Sequence, residues 1–404
     1  MLFTLVVSVG LGLAVAKLRR QKEGRKVVAG LLGCGEIDFA EDYERQLNYG
    51  DPFLGFYVVE DLGWRYDLST PNILKTIERF HGYYWRSREN GAGTDFEEAV
   101  SQMTNLHTLT LGNEMPLESL APIAGLTKLE TLRIGDLYGD HNFSLTERQL
   151  AVLKANPPRT LDLTPLSNLK QLKHLCLGNC GESDLTPLAG MTSLETLDLQ
   201  FSYAADLKPF SQMVELRTLV LVGAHAKDLS PLSDLKKLTK LDLTEAKAVD
   251  LRPLAELANL VTLKASGTDI EDISALASLR EVNYVTLADT PVSDISALSD
   301  KTKLQRLFLS NTNVSDVSPL ASCTALAELD LSHSMVEDVS PLIHCKALQE
   351  LNLTNCPVKD LSPLSGCNMR IILGGSQKVT MPADVRRHIW RRDMQADEVR
   401  PARP

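Results

Sequence analysis

The sequence predicts an α/β solenoid, with short parallel strands stacked along one face and turns with short helical pieces along the other. Three observations predict it. Ten aspartates, Asp162, Asp184, Asp206, Asp228, Asp250, Asp272, Asp294, Asp316, Asp338 and Asp360, recur at a strict 22-residue interval, each followed by Leu, Ile or Val. A fixed period of that length marks one supersecondary unit repeated many times. Ahead of each aspartate two apolar residues alternate with other residues, as at Leu307 and Leu309 or Leu351 and Leu353. That is the period-2 signature of a half-buried strand. Two residues beyond the aspartate, Ser318-Pro319, Ser340-Pro341 and Ser362-Pro363 read as a helix N-cap followed by proline at the first helical position. No single strand can bury its apolar face alone, so the units must stack into one continuous core.

The first element is apolar. Residues 2–16 (LFTLVVSVGLGLAVA) are followed at once by the basic run KLRRQKEGRK at 17–26. Residues 1–16 therefore read as an N-terminal anchor or signal, and 17–34 as a basic juxtamembrane segment. The stretch is shorter than the about 20 residues that span a bilayer, a deficit that tilt, thinning and snorkelling of Lys17 reduce. A basic cluster after the apolar stretch favours an anchor that leaves the rest of the chain in the cytoplasm. Two alternatives stand beside it. One is a cleaved secretory signal ending at Ala14-Val15-Ala16, and the other a degenerate lipid-attachment box at Leu31-Leu32-Gly33-Cys34.

Residues 35–102 are crowded with aromatics, from Phe39 to Trp85, and read as an N-terminal cap for the open end of the stack, with a small recognition domain of its own as the second reading. Ser69-Thr70-Pro71 reads as a helix start, and Ile73, Ile77, Phe80 and Tyr84 keep helical spacing on one face. Gly91-Ala92-Gly93 reads as a linker, since no strand, lysine or serine context for a phosphate loop surrounds it.

Residues 103–366 hold about twelve repeats, one of which carries an extra capped helix at 144–154 before Pro157-Pro158. An aspartate leaving a strand can accept a hydrogen bond from the backbone a residue or two ahead. The aspartate column is thus read as turn caps, not as paired catalytic carboxylates. The pattern L-x-x-L-x-L-x-x-[T/S/C/A]-x-[V/I]-x-D-[L/I/V]-S-P-L resembles leucine-rich repeats of the short 22-residue class, found in phosphatase-regulating proteins and bacterial internalins. The resemblance covers about 147–366 and extends back toward 103. It implies a horseshoe or arc, with strands on the concave face and turns or short 3-10 helices on the convex face. It also implies a protein-binding scaffold that is not an enzyme. One departure stands out: the buried asparagine of such repeats is replaced by Cys180, Ser202, Ala224, Ala246, Thr268, Thr290, Thr312, Ser334 and Cys356. Thr and Ser can still bond the neighbouring turn and Ala cannot, so the ladder is expected to be weakest near Ala224 and Ala246.

Residues 367–404 read as a C-terminal cap and basic tail. Val385–Arg392 is expected to form a short basic amphipathic helix that covers the last repeat, with contact to anionic lipid as a second role. The chain carries a net charge of −10 although both ends are basic, so the repeats are its acidic part. An acidic array argues against non-specific nucleic-acid binding. Seven cysteines, an odd number without a small-scaffold framework, favour a reducing compartment. Cys323, Cys345 and Cys367 share one column and read as buried free thiols in leucine positions, with neighbours near disulfide range. His174, Cys176 and Cys180 hint at metal spacing, but Cys180 belongs to the buried column while the other two point to the open face. Neither a metal nor a cofactor is expected.

On the open face, side chains flanking the strand leucines are not needed for the core. There Tyr284, Arg306 and Phe308 should be adjacent, beside the acidic group Glu328, Asp330 and Glu350. Aromatics and arginine are enriched at interface hot spots, so these six are the expected partner-binding residues. A partner with an apolar anchor and a nearby Lys or Arg would suit them. No nucleophile–base, HExxH or phosphate-loop motif appears in a supporting context, and an enzymatic activity would have to reside in residues 35–100. The expected function is a membrane-anchored scaffold, held through residues 2–16 with its repeats facing the cytoplasm, that binds another protein. The alternative is an exported or surface adhesin-like protein.

Overall fold

The computed structural model describes residues 2–3, 59–60, 79–84, 100–114, 119–134, 160–178, 180–374 and 377–392. It divides into two compact units, Met1–Ser202 and Tyr203–Pro404. In the first, β1 (Leu2–Phe3) pairs antiparallel with β2 (Val59–Glu60). A parallel sheet then follows the chain through β3 (Arg79–Tyr84), β4 (Thr108–Glu114), β5 (Thr131–Ile134), β6 (His174–Leu177) and β7 (Thr196–Asp198). Leu109, Leu132, Leu175 and Leu197 stand in one register column and are fully buried. The 3-10 helices η1 (Ala121–Ile123), η2 (Thr164–Asn168) and η3 (Thr186–Leu188) return the chain between strands.

The second unit repeats this plan with less variation. Its strands are β8 (Thr218–Val220), β9 (Lys240–Asp242), β10 (Thr262–Lys264), β11 (Tyr284–Thr286), β12 (Arg306–Phe308), β13 (Glu328–Asp330), β14 (Glu350–Asn352), β15 (Arg370–Gly374) and β16 (Ile389–Arg392). Each pairs in parallel with the next. Leu219, Leu241, Leu263, Val285, Leu307, Leu329 and Leu351 form the inward column, and none is more than 1% exposed. Eight 3-10 helices, from η4 (Lys208–Phe210) to η11 (Ser362–Leu364), make the returns, and one α-turn, α1 (Ala383–Arg386), precedes β16. A 3-10 helix rises faster per residue than an α-helix, which lets three residues recross the unit and keeps the repeat short.

Each aspartate of the periodic column accepts a hydrogen bond from the backbone N–H two residues ahead: Asp162 from Thr164 (2.9 Å), Asp250 from Arg252 (2.9 Å), Asp316 from Ser318 (2.8 Å) and Asp360 from Ser362 (2.8 Å). The same bond recurs at Asp184, Asp206, Asp228, Asp272, Asp294 and Asp338. The Ser-Pro pairs sit one position later than expected. Ser318 is the first residue of η9 (Ser318–Ser322), and Val317, not serine, occupies its N-cap. The Asp316 carboxylate takes the Ser318 N–H, and the Ser318 hydroxyl turns back to donate to Asp316 Oδ2 at 2.8 Å. Proline at the second position costs nothing there, because its missing donor has no partner in the first turn.

A second column was not read from sequence. Phe201, Gly223, Glu245, Gly267, Asp289, Asn311, His333 and Asn355, one per repeat, all have φ between 53° and 70°. They end each strand in the left-handed region, where Gly and Asn cost least. At Gly267 a Cβ would also sit 3.2 Å from Glu245 Cγ. Gly, Asp and Asn recurring at this position were the available signal.

Several expectations are corrected. Arg79–Tyr84 is a strand rather than the end of a helix, so Phe80 and Tyr84 do not share a helical face. The open edge of β4 offers a full ladder of hydrogen bonds, and that pairing overrides a local 3.6-residue spacing interrupted by Gly82. Val385–Arg392 is likewise not one helix: α1 ends at Arg386, and Ile389–Arg392 joins β15. The threonines of the hydroxyl column do not bond the neighbouring turn, whereas Ser334 does reach the next repeat, its Oγ 3.5 Å from Cys356 Sγ. Thr268, Thr290 and Thr312 donate to carbonyls three residues back in their own repeats, at 2.7, 2.6 and 2.7 Å. Repeats are joined here by backbone, as in Lys247 N–H to Ala224 O at 2.9 Å, so Ala224 keeps its link to the next unit. Ser202 Oγ is buried without a hydrogen-bond partner.

Cys323 and Cys345 are buried free thiols, donating to Leu298 O (3.4 Å) and Leu320 O (3.2 Å). Burial pushes them up to about 12 and about 11. Lys301 occupies the same column, buried, with Nζ donating to Ala277 O (2.8 Å) and Leu279 O (3.1 Å), and burial lowers its amine. The apolar span beyond Phe3, the basic segment 17–34, the Gly91–Gly93 linker, the 144–154 helix and most of the aromatic module lie outside the described residues. Among the described residues no helix is long and apolar enough to cross a membrane.

Candidate binding surface on the strand face

Period-2 alternation sends two rows of side chains in the second unit away from the leucine column. The pairing register runs Tyr284, Arg306, Glu328, Glu350, Arg370 in the first row. The second row runs Thr286, Phe308, Asp330, Asn352, Ile372, Trp390. The six residues singled out in the sequence therefore lie on four consecutive strands. The Tyr284 and Phe308 rings pack 5.7 Å apart at 43°, a tilted pair.

The charges are organised by the chain itself. Arg306 Nε lies 3.4 Å from Glu328 Oε2, and Arg370 Nη1 donates to Glu350 Oε2 at 2.9 Å. The guanidiniums are the more exposed members, 58% and 48% against 35% and 36% for the glutamates. Asp330 is engaged on both oxygens. Oδ1 accepts from Ser332 N (2.8 Å) and Oγ (2.6 Å), and Oδ2 accepts from Asn352 Nδ2 (3.1 Å). Asp242 and Asn352 make the same two bonds to Thr244 and Thr354. Asp330 is thus one of a set of strand-exit caps. The acidic group expected to meet a basic partner is already paired internally.

Two members of the surface were missed. Arg370 lies over the Trp390 ring at 4.9 Å, and Trp390 is 46% exposed. Both fall after the 22-residue spacing breaks, and β16 was read as helix. The apolar run Ile371-Ile372-Leu373 was the signal that another strand follows. In the first unit Cys176 is buried although on the strand face. Burial and then the nearby Asp198 carboxylate hold its thiol well above the ordinary range, opposite to what a nucleophile or metal ligand needs. Among the described residues no group of three or more His, Cys, Asp or Glu could hold a metal ion.

The leucine-rich repeat family model matches residues 302–344 and 326–366, two copies each time. The internalin inlF of Listeria monocytogenes aligns with a TM-score of 0.59 and 25% identity, over 75% of this chain and 89% of that one. The chain is a leucine-rich repeat protein. Two further leucine-rich repeat structures from Listeria monocytogenes are similar. Internalin C2 shares 31% identity over 47% of this chain and 82% of its own, with a TM-score of 0.44. The functional domain of InlJ shares 19% over 74% of each, with a TM-score of 0.46. No curated protein sequence matches this leucine-rich repeat protein. Leucine-rich repeat proteins are generally protein-interaction scaffolds.

Proposed function

We propose that this leucine-rich repeat protein is an exported or surface-displayed, non-enzymatic binding protein, and that another protein occupies the strand face at Tyr284, Arg306, Phe308, Glu328 and Glu350. The observation that carries the reading is a half-buried aromatic pair beside the exposed Arg306, on a face the core does not use. Similarity to an internalin at 25% identity favours export. Cys323 and Cys345 do not oppose it, because buried thiols with raised pKa values resist oxidation in either compartment. The membrane-anchored, cytoplasm-facing alternative rests on residues 2–16 and the basic run after them.

Protease treatment of intact cells separates the two topologies: digestion of the repeats is expected, and full protection would overturn display. The triple variant Tyr284→Ala, Arg306→Ala, Phe308→Ala is expected to abolish affinity recovery of the partner while circular dichroism and melting stay close to wild type. Undiminished recovery would remove this surface from the function.

A further inference from the structure

The strand face of the second unit carries Tyr284, Arg306, Glu328, Glu350 and Arg370 in one row across five strands, and on the sixth Trp390, from the second row, lies under the Arg370 guanidinium at 4.9 Å. Resting on the protein-binding reading above, we propose that the occupant is an extended acidic segment of the partner, with two carboxylates four residues apart, one on each arginine, and an apolar side chain outside each.

The register argument comes from strand geometry. Arg306 on β12 and Arg370 on β15 are three strand steps apart, roughly 14 Å at the usual spacing of neighbouring strands. An extended chain laid across the strands advances about 3.3 Å per residue, so four residues cover roughly 13 Å. Four is an even number, so both carboxylates project from the same side of such a chain. The side chain midway between them then faces Glu328 and Glu350, where a neutral or basic residue is accepted and a third carboxylate is rejected. Residues two before and two after the carboxylates reach the Tyr284–Phe308 pair at one end and Trp390 at the other.

The arginines can take this role without abandoning their glutamates. Arg306 meets Glu328 through Nε, and Arg370 meets Glu350 through Nη1. A guanidinium has five donors in a fixed fork, which leaves donors for a second carboxylate and makes each arginine a bridge between the two chains. The aromatic beside each arginine supplies apolar area at low entropy cost. A basic partner is the weaker match, since both glutamates are paired and Asp330 is filled from within the chain. Because the whole chain carries −10, long-range attraction does not assist an acidic ligand. Binding is contact-driven, and its association rate is not electrostatically steered.

The test uses the full chain and three fluorescent nine-residue peptides in anisotropy titrations. The first has glutamates at its third and seventh positions, phenylalanines at its ends and serines elsewhere. The second replaces the glutamates with lysines, and the third moves one glutamate to the eighth position. The first is expected to bind tightest, and Arg306→Gln or Arg370→Gln should weaken it by about tenfold each. Equal or tighter binding of the lysine peptide, equal binding of the shifted peptide, no binding of the first, or indifference to both arginine variants overturns the proposal. If the peptides fail while the triple alanine variant still loses the partner, the protein-binding reading stands and only the acidic segment falls.

Discussion

At the residue scale the most repeated interaction is a carboxylate accepting a backbone N–H two positions ahead. Ser, Thr or Arg beside that N–H adds a second bond in several repeats, as at Ser340 and Arg252. Asp316→Ala removes one such closure and should lower stability by about 0.5–2 kcal/mol, read by urea unfolding. An unchanged midpoint would show that the turn closes without it. These bonds also set a pH dependence. Hydrogen bonds from Thr164, Thr186, Ser230 and Ser362 hold Asp162, Asp184, Asp228 and Asp360 below the ordinary carboxylate range. A depressed carboxylate contributes stability that is fully present above its unfolded value, about 3.9, and is lost as pH falls through the lower folded value. Melting temperature should therefore be flat from neutral pH down to about 4.5 and fall below it. A decline that begins between pH 7 and 5 would point to histidines instead.

At the element scale, the C-terminal repeat shows how the stack is finished. Gln377 Oε1 accepts from Gly374 N (3.0 Å) and Asn355 N (3.2 Å), and its Nε2 donates to Cys356 O (2.7 Å) and Leu353 O (3.2 Å). One side chain thus bonds four backbone groups at the end of the stack. Gln377→Ala should cost about 1–3 kcal/mol, because three of the four bonds it removes are part-buried. Hydrogen exchange should locate the loss at the Gly374 and Asn355 amides, and uniform change along the unit would contradict the assignment. By contrast the Lys–Glu pairs between repeats, Lys237 with Glu215 and Lys303 with Glu281, are exposed on both partners and contribute little.

At the scale of the whole molecule a repeat array depends on its ends. Leu373 is fully buried and Ile371 nearly so, although β15 lies past the last 22-residue unit. Truncation after Gly374 removes Gln377, α1 and β16, and should expose this edge. The truncated chain is expected to melt several degrees lower and to aggregate on light scattering, as solenoids without a terminal cap do. Retention of the full-length melting temperature would show that β15 closes the stack alone.

The sequence by itself determined the repeat, its register and its inward leucine column, because a 22-residue period repeats the same local physics at every unit. It also placed Tyr284, Arg306 and Phe308 on one face, since alternation along a strand is local. Tertiary structure alone decided what long-range pairing controls. It turned Arg79–Tyr84 and Ile389–Arg392 into strands, because an open sheet edge offers a ladder that outweighs local helical spacing. It paired Glu328 and Glu350 with Arg306 and Arg370, and filled Asp330 from Ser332 and Asn352. Apart from the local Ser332 bond, those contacts join residues about one repeat apart, and a column read one repeat at a time does not contain them.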